Sequence, residues 1–278
     1  MTDPLQMQVF GVVGSPVKHS LSPKIHQFWY EQNEIAARYV PLDMTDETPV
    51  EDLVALARSG FSGLNITLPY KTEALRASAK IDDAAFKIGA ANTLTLINDD
   101  NNNRVWAATN TDHSGFLWSL ERWIGKLPSQ AVIIGAGGAA RAVAYALSGQ
   151  ALKLDILNRT VSRADDLAKD LELTQATCHS IDDLDSVASS ANLVINTISL
   201  GHSGGELALP GTKSGHFMDI SYGKAAEPTL KVANENGWNT LDGLPMLVGQ
   251  AADAFKIWFG LEPDRDAVLA ACRKWTGT

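Results

Sequence analysis

Residues 131–147 read AVIIGAGGAARAVAYAL, and residues 152–159 read LKLDILNR. The first string is a short β-branched run, a glycine turn and an alanine-rich helix; the second is another strand. Gly135, Ala136, Gly137, Gly138 and Ala139 form the turn, and Ala140 takes the place where a third glycine is usual. Glycine permits the tight turn and lets backbone approach a pyrophosphate, while a small residue at 140 lets helix and strand pack closely. The helix start then offers N–H groups and the positive dipole end to phosphate oxygens. The same glycines could form an ordinary turn, but the complete strand–turn–helix–strand context favours a dinucleotide.

The end of the second strand indicates which one. Dinucleotide sites for NAD carry an acid about 20 residues after the glycines, where it accepts from the ribose 2′-OH. This chain has Asn158, Arg159 and Thr160 there, with Arg163 one turn later. An acid would repel a 2′-phosphate, whereas a guanidinium forks two bonds onto it and stacks on adenine. The expected cofactor is NADP(H). The competing reading makes Arg159 and Arg163 solvated charges near Asp165 and Asp166.

Outward from this stretch, strands and helices keep alternating. Polar SRADDLAKDL (162–171) carries leucines at helical spacing, and ANLVINTI (191–198) and GHFMDI (215–220) are strands. That alternation predicts an α/β fold with a doubly wound, Rossmann-type parallel sheet over residues 112–242. Upstream, residues 7–14, 37–44, 63–69 and 91–98 read as strands, and 22–33 and 50–60 as helices. They form a second α/β unit over residues 1–111. NDDNNNR (98–104) is a polar turn. Residues 243–278 hold a C-terminal segment whose helix 248–260 has an apolar face at Ala252, Phe255 and Phe259, joined by Lys256. It is expected to return to the first unit.

Composition excludes other classes. A net charge of −9 argues against nucleic acid or an anionic membrane as partner. The start of the chain lacks a basic stretch leading into a long apolar run, and no apolar run is long enough to span a bilayer. Cys178 and Cys272 stand outside any CxxC, as suits free thiols in a reducing cytoplasm. The six histidines and two cysteines show no ligand spacing, so no metal is expected. Monomer and homodimer both remain open.

Several strings resemble the shikimate dehydrogenase family. GSPVKHSLSP (14–23) is similar to its GxPxxHSxSP segment, NITLPYK (65–71) to NVTxPxK, GAANT (89–93) to GAVNT, and TNTD (109–112) to GxNTD. The glycine loop, NRT-x-x-R at 158–163, DISY (219–222) and DGLPMLVGQA (242–251) continue the series over nearly the whole chain. The resemblance implies an NADP-dependent dehydrogenase that interconverts 3-dehydroshikimate and shikimate. It makes Lys71 and Asp112 the catalytic pair, because an ammonium beside a carbonyl can give the proton that balances hydride arrival. It further implies that Ser20 and Ser22 hold the substrate carboxylate, and that Thr67, Asn92, Asp112, Tyr222 and Gln250 line the ring. Thr197 and Gly243 join the cofactor set. From the residues alone, Lys71 ends a strand after Pro69 and reads as a surface lysine, and Ser22-Pro23 reads as a helix cap. His19 reads as a structural residue of the serine loop, and His113 as a helix-start residue.

Three positions depart from the family pattern: Ile198 where a threonine is usual, Pro245 for glycine, and Ala91 for valine. A quinate/shikimate-type paralogue with altered substrate shares these motifs. A non-catalytic NADP-sensing protein would share the glycine loop, but the intact Lys71, Asp112 and polar lining speak against it.

Overall fold

The computed structural model describes residues 7–44, 47–150, 152–198, 207–212 and 214–278. The chain divides into two compact units: Met1–Thr111 with Val248–Cys272, and Asp112–Leu247 with Arg273–Thr278.

In the first unit, strands β1 (Gln8–Gly14), β2 (Ala37–Asp43), β3 (Phe61–Ile66), β4 (Ser78–Ile81), β5 (Thr93–Asn98) and β6 (Arg104–Thr109) form a sheet in the order β2-β1-β3-β5-β6-β4. Helices α1 (Ser22–Gln32), α2 (Pro49–Arg58), α3 (Lys71–Arg76) and α4 (Asp83–Ile88) accompany it. The sheet is not wholly parallel: β5 runs antiparallel to both β3 and β6. The polar turn at 98–104 accounts for the β5–β6 pair. Asp99 accepts the backbone N–H groups of Asn101 and Asn103 at 2.9 and 2.7 Å, and Asn102 takes φ 63°, which closes a tight hairpin. Val13, Leu53, Leu64, Ile66, Tyr70, Leu94 and Trp106 pack one core of this unit.

The second unit opens with α5 (Asp112–Ile124). Its strands are β7 (Gln130–Ile134), β8 (Lys153–Asn158), β9 (Ala176–Ser180), β10 (Leu193–Asn196), β11 (His216–Asp219) and β12 (Asn239–Leu241). They lie in the order β12-β11-β10-β7-β8-β9, all parallel. Counted within the unit this is the doubly wound order 3-2-1-4-5-6 read from the other edge. Helices α6 (Gly138–Ser148), α7 (Val161–Asp170), α8 (Leu184–Ala188) and α9 (Glu227–Glu235) supply the crossovers. The four inner strands β7, β8, β10 and β11 are buried runs because helices cover both faces, whereas the edge strands β9 and β12 are partly exposed. Ligands in such sheets bind beyond the carboxyl ends of the strands where the order reverses, here between β7 and β10.

The last two helices, α10 (Leu244–Phe259) and α11 (Arg265–Thr276), are each divided between the units, at Leu247/Val248 and Cys272/Arg273. Helix α10 begins earlier than the expected 248. Pro245 falls in its first turn, where its missing N–H costs no helix bond. Ala252 and Phe255 are buried, and the charged member of that face, Lys256, turns out to Glu262 at 2.8 Å. Among the described residues no helix is long and apolar enough to cross a membrane.

Candidate active site

The expected substrate contacts of the first unit converge on one buried hydrogen-bond network. The backbone N–H of Thr111 donates to Asn92 Oδ1 at 2.7 Å. A backbone N–H can only donate, so this bond fixes which end of the Asn92 amide is oxygen. Asn92 Nδ2 therefore donates to Gln250 Oε1 at 3.2 Å and to Thr111 Oγ1 at 3.0 Å. Gln250 is thus engaged by Asn92 through its oxygen, and its amide nitrogen is the end turned elsewhere. Thr111 Oγ1 also reaches the Gln250 carbonyl at 3.0 Å, which ties α10 to the segment after β6. All three residues are buried. Such groups are placed by the fold and not by solvent.

The network includes residues that sequence reasoning passed over. Asn65 Nδ2 donates to the Asn92 carbonyl at 3.3 Å and to Thr93 Oγ1 at 3.1 Å, and its Oδ1 accepts the Tyr39 hydroxyl at 2.7 Å. Thr93 Oγ1 in turn donates to Asn92 Oδ1 at 3.1 Å. Asn65 was detectable as a lone amide inside the apolar run GLNITL. Tyr39 gave no such signal, since an aromatic in a strand reads as core.

On the serine loop, Ser20 Oγ accepts the Ser22 N–H at 3.2 Å, and α1 starts at Ser22 with Leu21 as its cap residue. Ser22 is therefore not the N-cap, and Pro23 sits in the first turn. Ser22 is buried and its hydroxyl reaches the Tyr39 phenol, while Ser20 is half-buried. Thr67 follows β3, its N–H donating to the Val13 carbonyl at 2.9 Å, so it lies beside the end of β1 from which the serine loop departs. His19 is exposed.

Lys71 does not end a strand. Strand β3 stops at Ile66, the Tyr70 N–H closes a turn onto the Thr67 carbonyl at 3.1 Å, and Lys71 opens α3. Pro69 lacks the N–H needed to extend a ladder and presets a turn. The Lys71 carbonyl accepts the Ala91 N–H at 2.8 Å, and the Ile66 N–H donates to the Asn92 carbonyl at 2.8 Å. These bonds hold the lysine's backbone beside the segment that carries Asn92. Asp112, buried, is the first residue of α5, one peptide bond beyond Thr111. The ring of His113 packs edge-on against Tyr145 with centroids 5.2 Å apart, as a structural helix-start residue should.

In the second unit the glycine loop joins β7 to α6. Gly135 has φ 114°, and Gly137 is the cap residue of α6 without any side-chain cap, so the first N–H groups of the helix point out of a loop of Gly and Ala. Open space lies where a Gly137 β-carbon would be. Such an uncapped helix start in a side-chain-free cradle fits a pyrophosphate. Ala136, Gly138 and Ala139 are half-buried or more exposed, and Ala140 is packed into the core.

Past β8, Asn158 Nδ2 donates to the Thr160 carbonyl at 2.8 Å, so Asn158 shapes the turn, and Thr160 stands at the N-cap position of α7 without a side-chain cap bond. Arg159 and Arg163 are both exposed. Asp165 engages Cys178 and helps hold that thiol up at about 11, after burial, the larger cause. Thr197 Oγ1 donates to the Ile134 carbonyl at 2.6 Å, and Asn196 brackets Ile198 by accepting its N–H and donating to its carbonyl, each at 3.2 Å. Asn196 also donates to buried Asp219 at 2.9 Å, and Asp219 accepts the Ser221 N–H at 2.8 Å. Burial raises the Asp219 carboxyl above its ordinary range. Tyr222 follows this turn, and Gly243 donates to the Ser221 carbonyl at 2.8 Å, its α-carbon so close that a β-carbon would collide with the Ile220 carbonyl. Residues 199–201, which follow Ile198, lie outside the described residues. Among the described residues, no cluster of His, Cys, Asp and Glu is arranged to hold a metal ion.

Three family models match along the chain: a shikimate dehydrogenase substrate binding domain at residues 12–94, a shikimate/quinate 5-dehydrogenase model at 121–242, and a shikimate 5′-dehydrogenase C-terminal domain at 243–273. A shikimate dehydrogenase (NADP(+)) of Hyphomonas neptunium is 46% identical over 96% of this chain and 97% of the relative. The crystal structure of shikimate 5-dehydrogenase from Thermus thermophilus, in complex with NADP(H) and shikimate, superposes with a TM-score of 0.80 at 34% identity. That match covers 96% of this chain and 99% of the other. A quinate dehydrogenase from Corynebacterium glutamicum in complex with NAD reaches a TM-score of 0.81 at 29% identity, covering 96% and 99%. The chain belongs to the shikimate dehydrogenase family.

Proposed function

We propose that the chain catalyses the reversible, NADP-dependent interconversion of 3-dehydroshikimate and shikimate. The observation that carries this reading is the buried cluster Asn92–Thr111–Gln250, with the Lys71 backbone tied to the same segment through Ala91. A ring bearing several hydroxyls rewards such a lining, because an analogue lacking one hydroxyl leaves a buried polar group unpaired.

In this reading the first unit binds the acid. Ser20 and Ser22 hold its carboxylate with hydroxyls, Thr67, Asn92 and Gln250 take the ring hydroxyls, and Tyr222 is a further substrate-side residue. Gln250 is an N–H donor towards substrate, since its oxygen is engaged by Asn92. Lys71 gives a proton to the carbonyl oxygen during reduction and takes it back during oxidation. Asp112 orients that ammonium and contacts the substrate. NADPH, when bound, supplies the hydride to the carbonyl carbon.

The second unit holds the cofactor. Gly135–Ala139 and the start of α6 receive the pyrophosphate, Arg159, Thr160 and Arg163 the 2′-phosphate on a turn shaped by Asn158, and Thr197 and Gly243 the nicotinamide end. The two free cysteines suit action in a reducing cytoplasm.

A steady-state screen of shikimate and quinate against NADP+ and NAD+ tests the assignment. Shikimate with NADP+ is expected to give the highest kcat/KM. Quinate oxidation with NAD+ at a comparable rate would move the chain to the quinate-using branch. Tight NADP+ binding without turnover of either acid would make it a sensor.

A further inference from the structure

Asn92 and Gln250 can receive ring hydroxyls only if their amides are held in register. Behind them the chain of bonds runs Tyr39 to Asn65 to Thr93 and Asn92. Its directions are forced. Asn65 Nδ2 faces a carbonyl oxygen, which can only accept, so Asn65 Oδ1 is the end facing Tyr39 and the phenol must donate to it. Were the Asn65 amide to turn over, its oxygen would oppose the Asn92 carbonyl. It would also draw the Thr93 hydroxyl away from Asn92 Oδ1. The Asn92 carbonyl dictates the native orientation, and the Tyr39 hydroxyl anchors Asn65 Oδ1 in it by satisfying the otherwise unpaired buried oxygen.

Tyr39 is itself firmly placed. Its ring stacks on His26 with centroids 4.3 Å apart and planes 4° from parallel, and Trp258 packs at 6.4 Å. The residue is buried, and Ser22 reaches the same phenol oxygen. One hydroxyl thus lies between the serine expected at the substrate carboxylate and the amides expected at its hydroxyls.

We propose that Tyr39 is a positioning residue of the substrate pocket: it touches no substrate, and acts by holding Asn65, and through it Asn92 and Gln250, in the orientation that receives the ring hydroxyls. The proposal rests on the function assigned above.

The test compares wild type, Tyr39→Phe and the double variant Tyr39→Phe/Asn65→Leu in kcat, both KM values and Tm. Tyr39→Phe keeps the stacked ring and removes only the hydroxyl. It is expected to raise the shikimate KM about tenfold, the equivalent of one buried hydrogen bond, and to leave the NADP+ KM unchanged. Because it strands the Asn65 oxygen, its Tm is expected to fall. The double variant removes both polar partners, and the Asn92 carbonyl keeps its bond from the Ile66 N–H. It is therefore expected to regain Tm while the shikimate KM stays raised. This comparison also carries the test if the single variant does not fold.

An unchanged shikimate KM in Tyr39→Phe would overturn the proposal. So would a KM that recovers together with Tm in the double variant, since that is what a purely structural role produces. Wild-type protein unable to oxidise shikimate would be a separate result: it would refute the assigned function, and the proposal with it.

Discussion

Gly135 and Thr197 meet where the order of the nucleotide-unit sheet reverses, Gly135 just past β7 and Thr197 just past the neighbouring β10. A β-carbon on Gly135 would run into Thr197 Oγ1 and come within 2.9 Å of Ile198 Cγ2, and the glycine's φ of 114° is one that L side chains avoid. Thr197 cannot retreat freely, because its hydroxyl and its N–H both bond the Ile134 carbonyl, at 2.6 and 2.9 Å. The contact ties the pyrophosphate loop to the turn expected at the nicotinamide. Ile198 packs its Cγ2 methyl on the glycine turn, a contact that the γ-methyl of a threonine also supplies.

Gly135→Ala is therefore expected to cost more than about 1 kcal/mol of stability from backbone strain alone. It should also raise the NADP+ KM at least tenfold with a smaller effect on the shikimate KM. Thermal melts and paired KM measurements check this, and equal shifts in both KM values would show that the loop does not act on the cofactor alone.

Cofactor choice depends on exposed side chains, so it should respond to substitution without loss of fold. Arg159→Ala is expected to raise the NADP+ KM by about one to two orders of magnitude, the loss of a charge-assisted fork. The NAD+ KM and Tm should stay near wild type. Added salt should weaken NADP+ binding to wild type more than to the variant, since the contact is solvent-exposed and screened. An NADP+ KM unmoved by the substitution would return Arg159 to the status of a solvated surface charge.

The parts of the molecule that were legible in the sequence are those where local chemistry and fold agree. The string 131–159 announced its strands, glycine turn and helix because each residue there favours its observed state. Lys71 deceives for a local reason: NITLPYK reads as a strand up to the lysine, yet Pro69 cannot extend the ladder and the chain turns into α3. The polar turn at 98–104 is plain in the sequence but the strand β6 after it is not, since RVWAAT lacks a clean alternation. Tyr39 was out of reach. Its importance comes from a hydroxyl directed at a residue 26 positions away, and no periodicity encodes that pairing.

Lys71 should separate chemistry from binding. Lys71→Ala is expected to lower kcat by at least about 100-fold, within the range that one general acid–base group contributes. NADP+ affinity, measured by fluorescence titration, should be unchanged because Lys71 and the glycine loop belong to different units of the chain. Asp112→Asn should lower kcat by less, since it keeps a hydrogen-bonding group while losing the charge that orients the ammonium. Near-normal turnover in Lys71→Ala would remove the proposed proton donor.

His26 makes the first unit sensitive to acid. Its ring is fully buried against Tyr39, and burial drives its pKa from 6.5 down to about 3, with Asn65 close enough to offset this only in part. Among the described residues, neither ring nitrogen meets a partner in hydrogen-bond geometry. The folded state therefore keeps His26 neutral at pH values where the unfolded chain protonates it. Below about pH 6.5 the unfolded state binds more protons, so stability falls with pH until the folded-state pKa near 3 is reached. Two pH units into that window, at about pH 4.5, the loss amounts to about 2–3 kcal/mol. His26→Phe retains a flat ring beneath Tyr39 and has nothing to titrate. Urea midpoints at pH 7 and 4.5 should fall more steeply for wild type than for the variant. Parallel losses in the two proteins would place the acid sensitivity elsewhere.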